Sequence, residues 1–179
     1  MLDTEPVRKK AGDGLTEQGA FVFDDERKGV RLRVLHDLSV DNWIKARHYL
    51  KSVPAGARIR MRFEDAHGCV LGCMLWGHAT ARKLDQKGIL ELTRMCFIDD
   101  TPPCIESKCL SMARKHIRKH HPEIKGLIAY SSTGAGHEGT IYKADNWYAL
   151  GISKSASWQT RPNRIDRDIS QKIRWTRSP

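Results

Sequence analysis

Hydrophobic and polar residues alternate with different periods along the chain, and each period predicts a different element. Residues 30–35 and 58–64 alternate apolar and charged side chains, which is typical of half-exposed strands. Residues 69–77 are almost entirely apolar and predict a central strand with both faces covered. Residues 89–98 and 126–130 predict two more strands. The pattern as a whole indicates a mixed α/β domain.

Three helices are predicted between these strands. The first begins with Ser39 as N-cap and runs to about Leu50, with an inner face formed by Trp43, Ala46, Tyr49 and Leu50. The second has Thr101 as N-cap, Pro102 at its first position and an apolar stripe of Ile105, Cys109, Met112, Ala113 and Ile117.

The third helix is short and leads into the last predicted strand. It covers residues 140–145. Asn146 is predicted to end it, because asparagine tolerates the left-handed conformation in which helices commonly terminate. A strand follows at residues 147–150. The predicted order is therefore strand, helix, three meander strands, helix, strand, short helix, strand.

The two ends of the chain differ from the middle. Residues 1–28 are polar and contain glycine, so we expect an extended N-terminal arm there. Residues 29–155 carry the predicted elements and are expected to form the domain. Residues 156–179 are expected to be a basic C-terminal tail.

The net charge of +10 over 179 residues is concentrated in two segments. Residues 108–125 carry six Lys and Arg residues against one glutamate, and residues 154–179 carry seven against two aspartates. Two basic segments on a small domain favour a polyanionic partner such as nucleic acid, although such charges also keep a surface soluble. We therefore expect phosphate contacts from the segments that contain Arg114, Lys115, Arg118, Arg161 and Arg164.

Several classes of protein are not favoured by the sequence. No apolar run approaches the roughly 20 residues that cross a bilayer, and no signal-peptide core follows the N-terminus, so a cytoplasmic location is expected. The five cysteines are an odd number without a Cys-x-x-Cys spacing, which indicates neither a disulfide framework nor a zinc knuckle. The residues are compatible with an oligomer and favour no particular oligomeric state.

A glycine-rich segment between the strand at 126–130 and the short helix is the strongest local candidate for a site. It reads Ser-Ser-Thr-Gly-Ala-Gly-His-Glu-Gly over residues 131–139. Backbone N–H groups before a helix can receive a carbonyl or phosphate oxygen, and His137 can serve as acid, base or ligand. The alternative is a plain connection with His137 exposed.

Two histidines, His116 and His120, have the i, i+4 spacing of metal ligands on a helix. They lie among cations near the predicted helix end, where surface histidines complement the helix dipole. We therefore interpret them as surface residues.

Longer stretches resemble known families. Residues 141–151, with an aromatic residue, a helix end and a strand, resemble the last part of the GNAT N-acyltransferase fold, with Asn-Trp in place of the usual Gly-Phe. Glu-Leu-Thr-Arg at 91–94, Glu-Ser-Lys at 106–108 and the run at 136–142 resemble the Mom DNA-modification family of Mu-like phages. The His48-Tyr49 pair does so too, and the resemblance covers most of residues 29–155. It implies a GNAT-like mixed sheet flanked by helices.

The resemblance also implies a function. Members of the family add a carbamoylmethyl group to adenine N6 in double-stranded phage DNA, which protects the DNA from host restriction enzymes in the host cytoplasm. The alternatives are an ordinary acetyl-CoA-dependent N-acetyltransferase of a protein or small-molecule amine, and a non-catalytic basic DNA-binding protein on a GNAT scaffold.

The resemblance further implies roles for individual residues. His48 is expected to act as general base toward adenine N6, Tyr49 to orient the base, and Tyr142 to protonate a departing group, with His137 as a further catalytic candidate. The donor is expected to contact Ser132, Gly134, Gly136, Gly139 and Arg94.

The identity of the donor is left open by two features. A carbamoylmethyl group has a CH₂ next to nitrogen, which acyl transfer from acetyl-CoA alone does not make, so another acyl- or glycine-type donor or further chemistry is needed. Iron held by His48, Tyr49 and Glu26 is one hypothesis for that chemistry. In addition, residues 99–103 read Asp-Asp-Thr-Pro-Pro, where GNAT proteins carry a glycine-rich pyrophosphate loop, and their acids would repel a pyrophosphate.

Overall fold

A computed structural model describes residues 21–25, 29–153 and 170–179, which form one mixed sheet with helices on both faces. The strand order is β1-β2-β3-β4-β5-β6-β8-β7, and all neighbours are antiparallel except β5 and β6. The elements in chain order are β1 (Phe21–Asp25), β2 (Val30–Leu35), α1 (Ser39–Arg47), β3 (Ala57–Asp65), β4 (Val70–His78), β5 (Ile89–Phe97), α2 (Ile105–His120), β6 (Gly126–Ser132), α3 (Thr140–Ala144), β7 (Tyr148–Ile152) and β8 (Lys172–Arg177).

The predicted order of elements is confirmed, and two further strands join it at the chain's ends. The five residues of β1 pair with β2, so the sheet begins within the segment expected to be an arm. Strand β8 lies between β6 and β7, although a basic tail is predicted for its residues. Its alternation of charged and apolar residues is that of a half-exposed strand, and Trp175 is buried at its centre.

The two long helices cover opposite faces of the sheet. Successive strand residues point to opposite faces. Met74 and Trp76 of β4 belong to the core cluster that contains the buried side of α2, whereas Cys73 and Leu75 pack with Val40 and Ile44 of α1. The apolar character of β4 follows, because both of its faces are covered. Among the described residues, no helix is long and apolar enough to cross a membrane.

The start of α2 differs from the prediction. Its N-cap is Cys104 with φ of 64°, and Thr101 and Pro102 lie before the helix. Pro103 disfavours helical conformation in the residue before it, which moves the start past both prolines. The stripe from Ile105 to Ile117 faces the core as predicted.

The inner face predicted for α1 is confirmed only for Trp43, which packs against the core on that side, and the helix ends earlier than expected. The N-cap is Leu38 rather than Ser39, and the helix ends at Arg47. The buried residues are Val40, Asp41 and Ile44, whereas Ala46 and Tyr49 are exposed. His48 is extended, with φ of −66° and ψ of 139°, and this places His48 and Tyr49 outside the helix.

Candidate functional site

A cleft opens where β5 and β6 separate. They pair in parallel only from Ile89 and Gly126 to Leu92 and Ala129. Beyond that point β5 continues along β4 to Phe97, and β6 continues along β8 to Ser132. The gap is part of a cleft of about 800 Å³, a volume suited to a small-molecule ligand.

The cleft brings together most of the predicted site residues. The four catalytic candidates line it, and so do four of the five predicted donor contacts, while Gly134 is not among the lining residues. The residues that line it are His48, Tyr49, His137, Tyr142, Arg94, Ser132, Gly136 and Gly139.

A β-bulge shapes the wall of the cleft in β5. Leu75 of β4 is opposite Arg94, whereas the next residue, Trp76, is opposite Leu92, so Thr93 is the extra residue. A bulge bends its strand and redirects the side chains beside it. The Arg94 guanidinium donates from Nε to the Ser52 carbonyl oxygen (3.0 Å) and from Nη1 to the Thr93 carbonyl oxygen (2.7 Å). Arg94 therefore ties the segment after α1 to the cleft wall.

His48 is held as a neutral ring. Its Nδ1 accepts the Leu50 backbone N–H at 3.1 Å, so the proton of the neutral imidazole lies on Nε2. Burial, with the charges of Arg94, His137 and Lys51, lowers the pKa of His48 to about 4. A ring whose lone pair is already engaged and whose pKa is this low donates a hydrogen bond more readily than it accepts a proton. The geometry therefore disfavours the predicted role of His48 as general base.

Tyr49 and His137 form the rim of the cleft. The Tyr49 ring stacks on His48 with centroids 4.4 Å apart and lies 5.9 Å from the His137 ring. Tyr49 is 51% exposed, and His137 is exposed as well. Two exposed rings at the mouth of a cleft offer a surface on which a planar ligand can stack.

Glu91 is a lining residue that the sequence did not single out as a site residue. It is only 6% exposed, and its Oε2 accepts hydrogen bonds from the Thr80 N–H (2.7 Å) and the Thr80 hydroxyl (2.9 Å). Burial raises the pKa of Glu91, partly offset by the bonds from Thr80 and by Lys172 and Arg94. The signal was present as an acid between two leucines in the apolar first half of this strand.

Tyr142 lies in an aromatic cluster at the base of the cleft. Its ring contacts Trp147 edge-on at 5.5 Å and stacks on Trp175 at 5.6 Å. Burial raises the pKa of Tyr142 above its usual value. The phenol therefore stays protonated, and the raised pKa also makes it a weaker acid than a free tyrosine.

The glycine-rich loop uses several of its own N–H groups. His137 N donates to the Ser132 carbonyl, Gly136 N to the Thr133 carbonyl, and Ala135 N to the Ser132 hydroxyl. These groups are not available to a ligand phosphate, so the predicted anion cradle is wrong for them. Gly136 and Gly139 both have positive φ, at 71° and 74°, and the loop depends on glycine for this conformation.

The end of the cleft beside α2 is acidic. Asp99 and Glu106 both line the cleft next to the start of this helix. The helix N-terminus is where an incoming phosphate would be favoured, but two carboxylates there oppose it. Asp99 and Glu106 would repel a CoA pyrophosphate at this end, as expected from residues 99–103.

Arg114 is not available for DNA, contrary to prediction. It is 8% exposed and makes a two-pronged ion pair with Asp145, at 2.6 Å from Nε and 2.8 Å from Nη2. Asp145 also accepts the Trp147 indole N–H at 2.8 Å, so the pair fixes α3 against α2. Lys115 and Arg118 are exposed on α2, whereas Arg161 and Arg164 lie outside the described residues.

Metal ligands are not brought together in the part of the chain that the structure describes. No group of three His, Cys, Asp or Glu side chains there could hold an ion, and Glu26 lies outside that part. The described residues therefore give no support to the iron hypothesis, and we derive no step from it. His116 was expected at the surface but is buried and stacks on His120 with centroids 4.4 Å apart.

Comparisons with known proteins agree with this arrangement. A model of the Mom protein family matches residues 34–177. "Methylcarbamoylase mom" of Escherichia phage Mu is 24% identical over 165 residues, which cover 85% of this chain and 68% of that protein.

Solved structures of acetyltransferases share the fold. Ribosomal-protein-S5-alanine acetyltransferase from Vibrio fischeri matches with a TM-score of 0.61 and 10% identity, over 88% of this chain and 96% of that one. Spermidine N-acetyltransferase from Vibrio cholerae, solved with CoA and spermine, matches with a TM-score of 0.60 and 10% identity, over 84% and 95%. The predicted GNAT-like fold is confirmed.

Proposed function

The chain belongs to the Mom protein family, and we propose that it is a transferase that adds a carbamoylmethyl group to adenine N6 in double-stranded DNA. The modification would protect phage DNA from host restriction enzymes in the host cytoplasm. The observation that carries the proposal is the cleft itself. The His48-Tyr49 pair, Glu91, Arg94 and His137, which lie in or beside the family-like motifs, all line it.

The acceptor side of the cleft suits a base that has left the duplex. Adenine N6 cannot reach a cleft while it is stacked, and unstacking costs a few kcal/mol. The exposed ring of Tyr49, supported by His48 and His137, offers a stacking surface that would offset this cost. Stacking of one base on an aromatic side chain contributes about 1–3 kcal/mol.

Transfer requires that the bond between N6 and the CH₂ carbon form as the bond between that carbon and the donor's leaving group breaks, and that N6 lose a proton. The nitrogen is a weak nucleophile, because its lone pair is delocalised into the ring. Glu91 is our candidate for the proton acceptor, because burial raises its pKa toward neutral pH and thereby makes the carboxylate a stronger base. His48 would donate a hydrogen bond from Nε2, and Tyr142 would return a proton to the departing group.

The donor is a small molecule that enters the gap between β5 and β6. Another acyl- or glycine-type donor is compatible with the size of the cleft, whereas direct transfer from acetyl-CoA would bond N6 to a carbonyl carbon and give an acetyl adduct instead. The acids at Asp99 and Glu106 favour a donor without a pyrophosphate at that end. The roles proposed for Glu91, His48 and Tyr142 do not require CoA.

Mass spectrometry of nucleosides tests the proposal. DNA from cells that express the wild-type protein should contain adenine with the mass of a carbamoylmethyl adduct. If Glu91 is the general base, Glu91→Gln should lower the rate of adduct formation in single-turnover assays by roughly 10²–10⁴-fold, while the protein stays folded. Adducts with the mass of an acetyl group would show direct acetyl transfer to adenine instead. Unmodified DNA would contradict the proposal and leave an acetyltransferase of a protein or small-molecule amine, or a non-catalytic protein.

A further inference from the structure

The face of the sheet that DNA approaches can be derived from the positions of the helices. His48 and Tyr49 follow α1 directly, so the rim of the cleft lies on the α1 side of the sheet. The buried stripe of α2 packs on the other face of the sheet, and the exposed cations of α2 lie on the side of the helix away from the sheet. A duplex held by α2 would therefore lie on the side of the sheet opposite to the rim.

The α1 side of the sheet carries its own cations. Arg31, Arg33, Arg60 and Arg62 alternate with core residues of the α2 side, so their side chains lie on the α1 side. Carboxylates neutralise part of this charge. Asp41 pairs with Arg60 at 2.6 Å, and Glu64 pairs with Arg62 at 2.6 Å and with Arg33 at 3.2 Å.

Three more cations surround the end of α1 next to the rim. Lys45, Arg47 and Lys51 are all exposed, and none forms an ion pair with a carboxylate of the described residues. Arg47 lies over the Trp43 ring at 4.6 Å, and Lys51 Nζ donates to the Ala46 carbonyl at 3.0 Å. Lys51 also lies two residues from Tyr49 in the chain, and its charge acts on His48, which lines the cleft.

We propose that double-stranded DNA binds on the α1 side, with its phosphates held by Lys45, Arg47 and Lys51. The inference rests on the proposed function and adds the surface that positions the duplex. A base that leaves the stack of a duplex held there meets Tyr49 directly. The exposed cations of α2 contribute only to the overall charge.

Two triple variants with equal loss of charge test this surface. One is Lys45→Gln with Arg47→Gln and Lys51→Gln, and its matched control on α2 is Lys115→Gln with Arg118→Gln and Lys119→Gln. Fluorescence anisotropy with a labelled duplex gives Kd over a range of salt concentrations. We expect the α1 variant to raise Kd by about tenfold or more and to lower the salt slope by about 0.9 for each phosphate that the protein no longer neutralises. The α2 control should change Kd by less than about threefold.

A third variant separates charge from structure. Lys45→Arg with Arg47→Lys and Lys51→Arg keeps the three charges and should retain binding near the wild-type level. Equal weakening by both glutamine variants, or a stronger effect of the α2 control, would overturn the inference. The nucleoside assay distinguishes failure of the proposed binding surface from failure of the proposed DNA-modifying function. An adduct made by the wild type alongside equal weakening leaves the function standing, whereas absence of both adduct and duplex binding refutes both.

Discussion

Gly139 is the position where a single methyl group should most clearly disturb the site. Its φ of 74° is left-handed, and alanine in that region costs about 1–2 kcal/mol. An added Cβ would also lie 2.2 Å from Cζ2 of Trp175 and 2.8 Å from its Nε1. The indole cannot easily move, because it donates to the Ser131 hydroxyl at 2.9 Å and stacks on Tyr142. Overpacking of this kind adds about 1–3 kcal/mol, so Gly139→Ala should destabilise by about 2–5 kcal/mol.

Gly136 supplies the matched control. Its φ of 71° is nearly the same, but a Cβ there meets no atom within 4 Å. Gly136→Ala should therefore cost only the backbone contribution of about 1–2 kcal/mol. Urea unfolding should show the two alanine variants separated by about 1–3 kcal/mol. In the Gly139→Ala background, Trp175→Leu should cost less than it does alone, since it removes the clash. Equal destabilisation by the two alanines, together with additive costs in the double variant, would refute the close approach of Trp175 to Gly139.

Three further predictions concern the cleft and the buried histidine. His137→Gln keeps a hydrogen-bonding side chain and should retain DNA modification if His137 only positions the base, whereas His137→Ala should lose it. Modification is measured as adduct per adenine, and its loss in both variants would indicate proton transfer instead. Asp99→Asn with Glu106→Gln should bind CoA more tightly than the wild type in calorimetry, and unchanged affinity would contradict the exclusion of a pyrophosphate. Burial, with His120 and His121, lowers the pKa of His116 to about 4, so below pH 6.5 the unfolded chain takes up a proton that the folded protein does not. Stability should therefore fall from pH 6.5 to about 4, and His116→Gln should reduce that dependence in urea unfolding, while His48 supplies a further part of it.

The sequence predicted most of the elements, because their hydrophobic periods are local properties. The core stripe of α2 was predicted from such a period, and strand β4 from a continuous apolar run. Strand β8 shows where the same reasoning fails. Its residues alternate charged and apolar side chains, but the surrounding basic charge favoured the interpretation as a tail. The buried Trp175 contacts the base of the cleft, so this strand belongs to the site.

The role of individual charged residues could not be predicted in the same way. The residues next to Arg114 in the sequence resemble those next to the exposed cations of α2, and its ion-pair partner Asp145 is 31 residues away in the chain. Only the packing of α3 on α2 brings the two together. The low pKa of His48 likewise depends on burial and on the Leu50 N–H, neither of which a motif contains. Sequence motifs identified residues that line the cleft, whereas their protonation states depended on the fold.

The charges around the cleft are separated in a way that bears on both substrates. Lys51 and Arg47 lie by the rim on the α1 side, whereas Asp99 and Glu106 line the end beside α2. A duplex and a pyrophosphate are both polyanions, and a site with cations at both ends would bind either one in either place. Carboxylates at one end repel phosphate there, since the repulsion between like charges is only weakly screened in a partly enclosed cleft. The arrangement therefore favours DNA at the rim and a donor of low negative charge between the separated strands. The order of charges along the cleft, more than any single side chain, would then decide which substrate occupies which end.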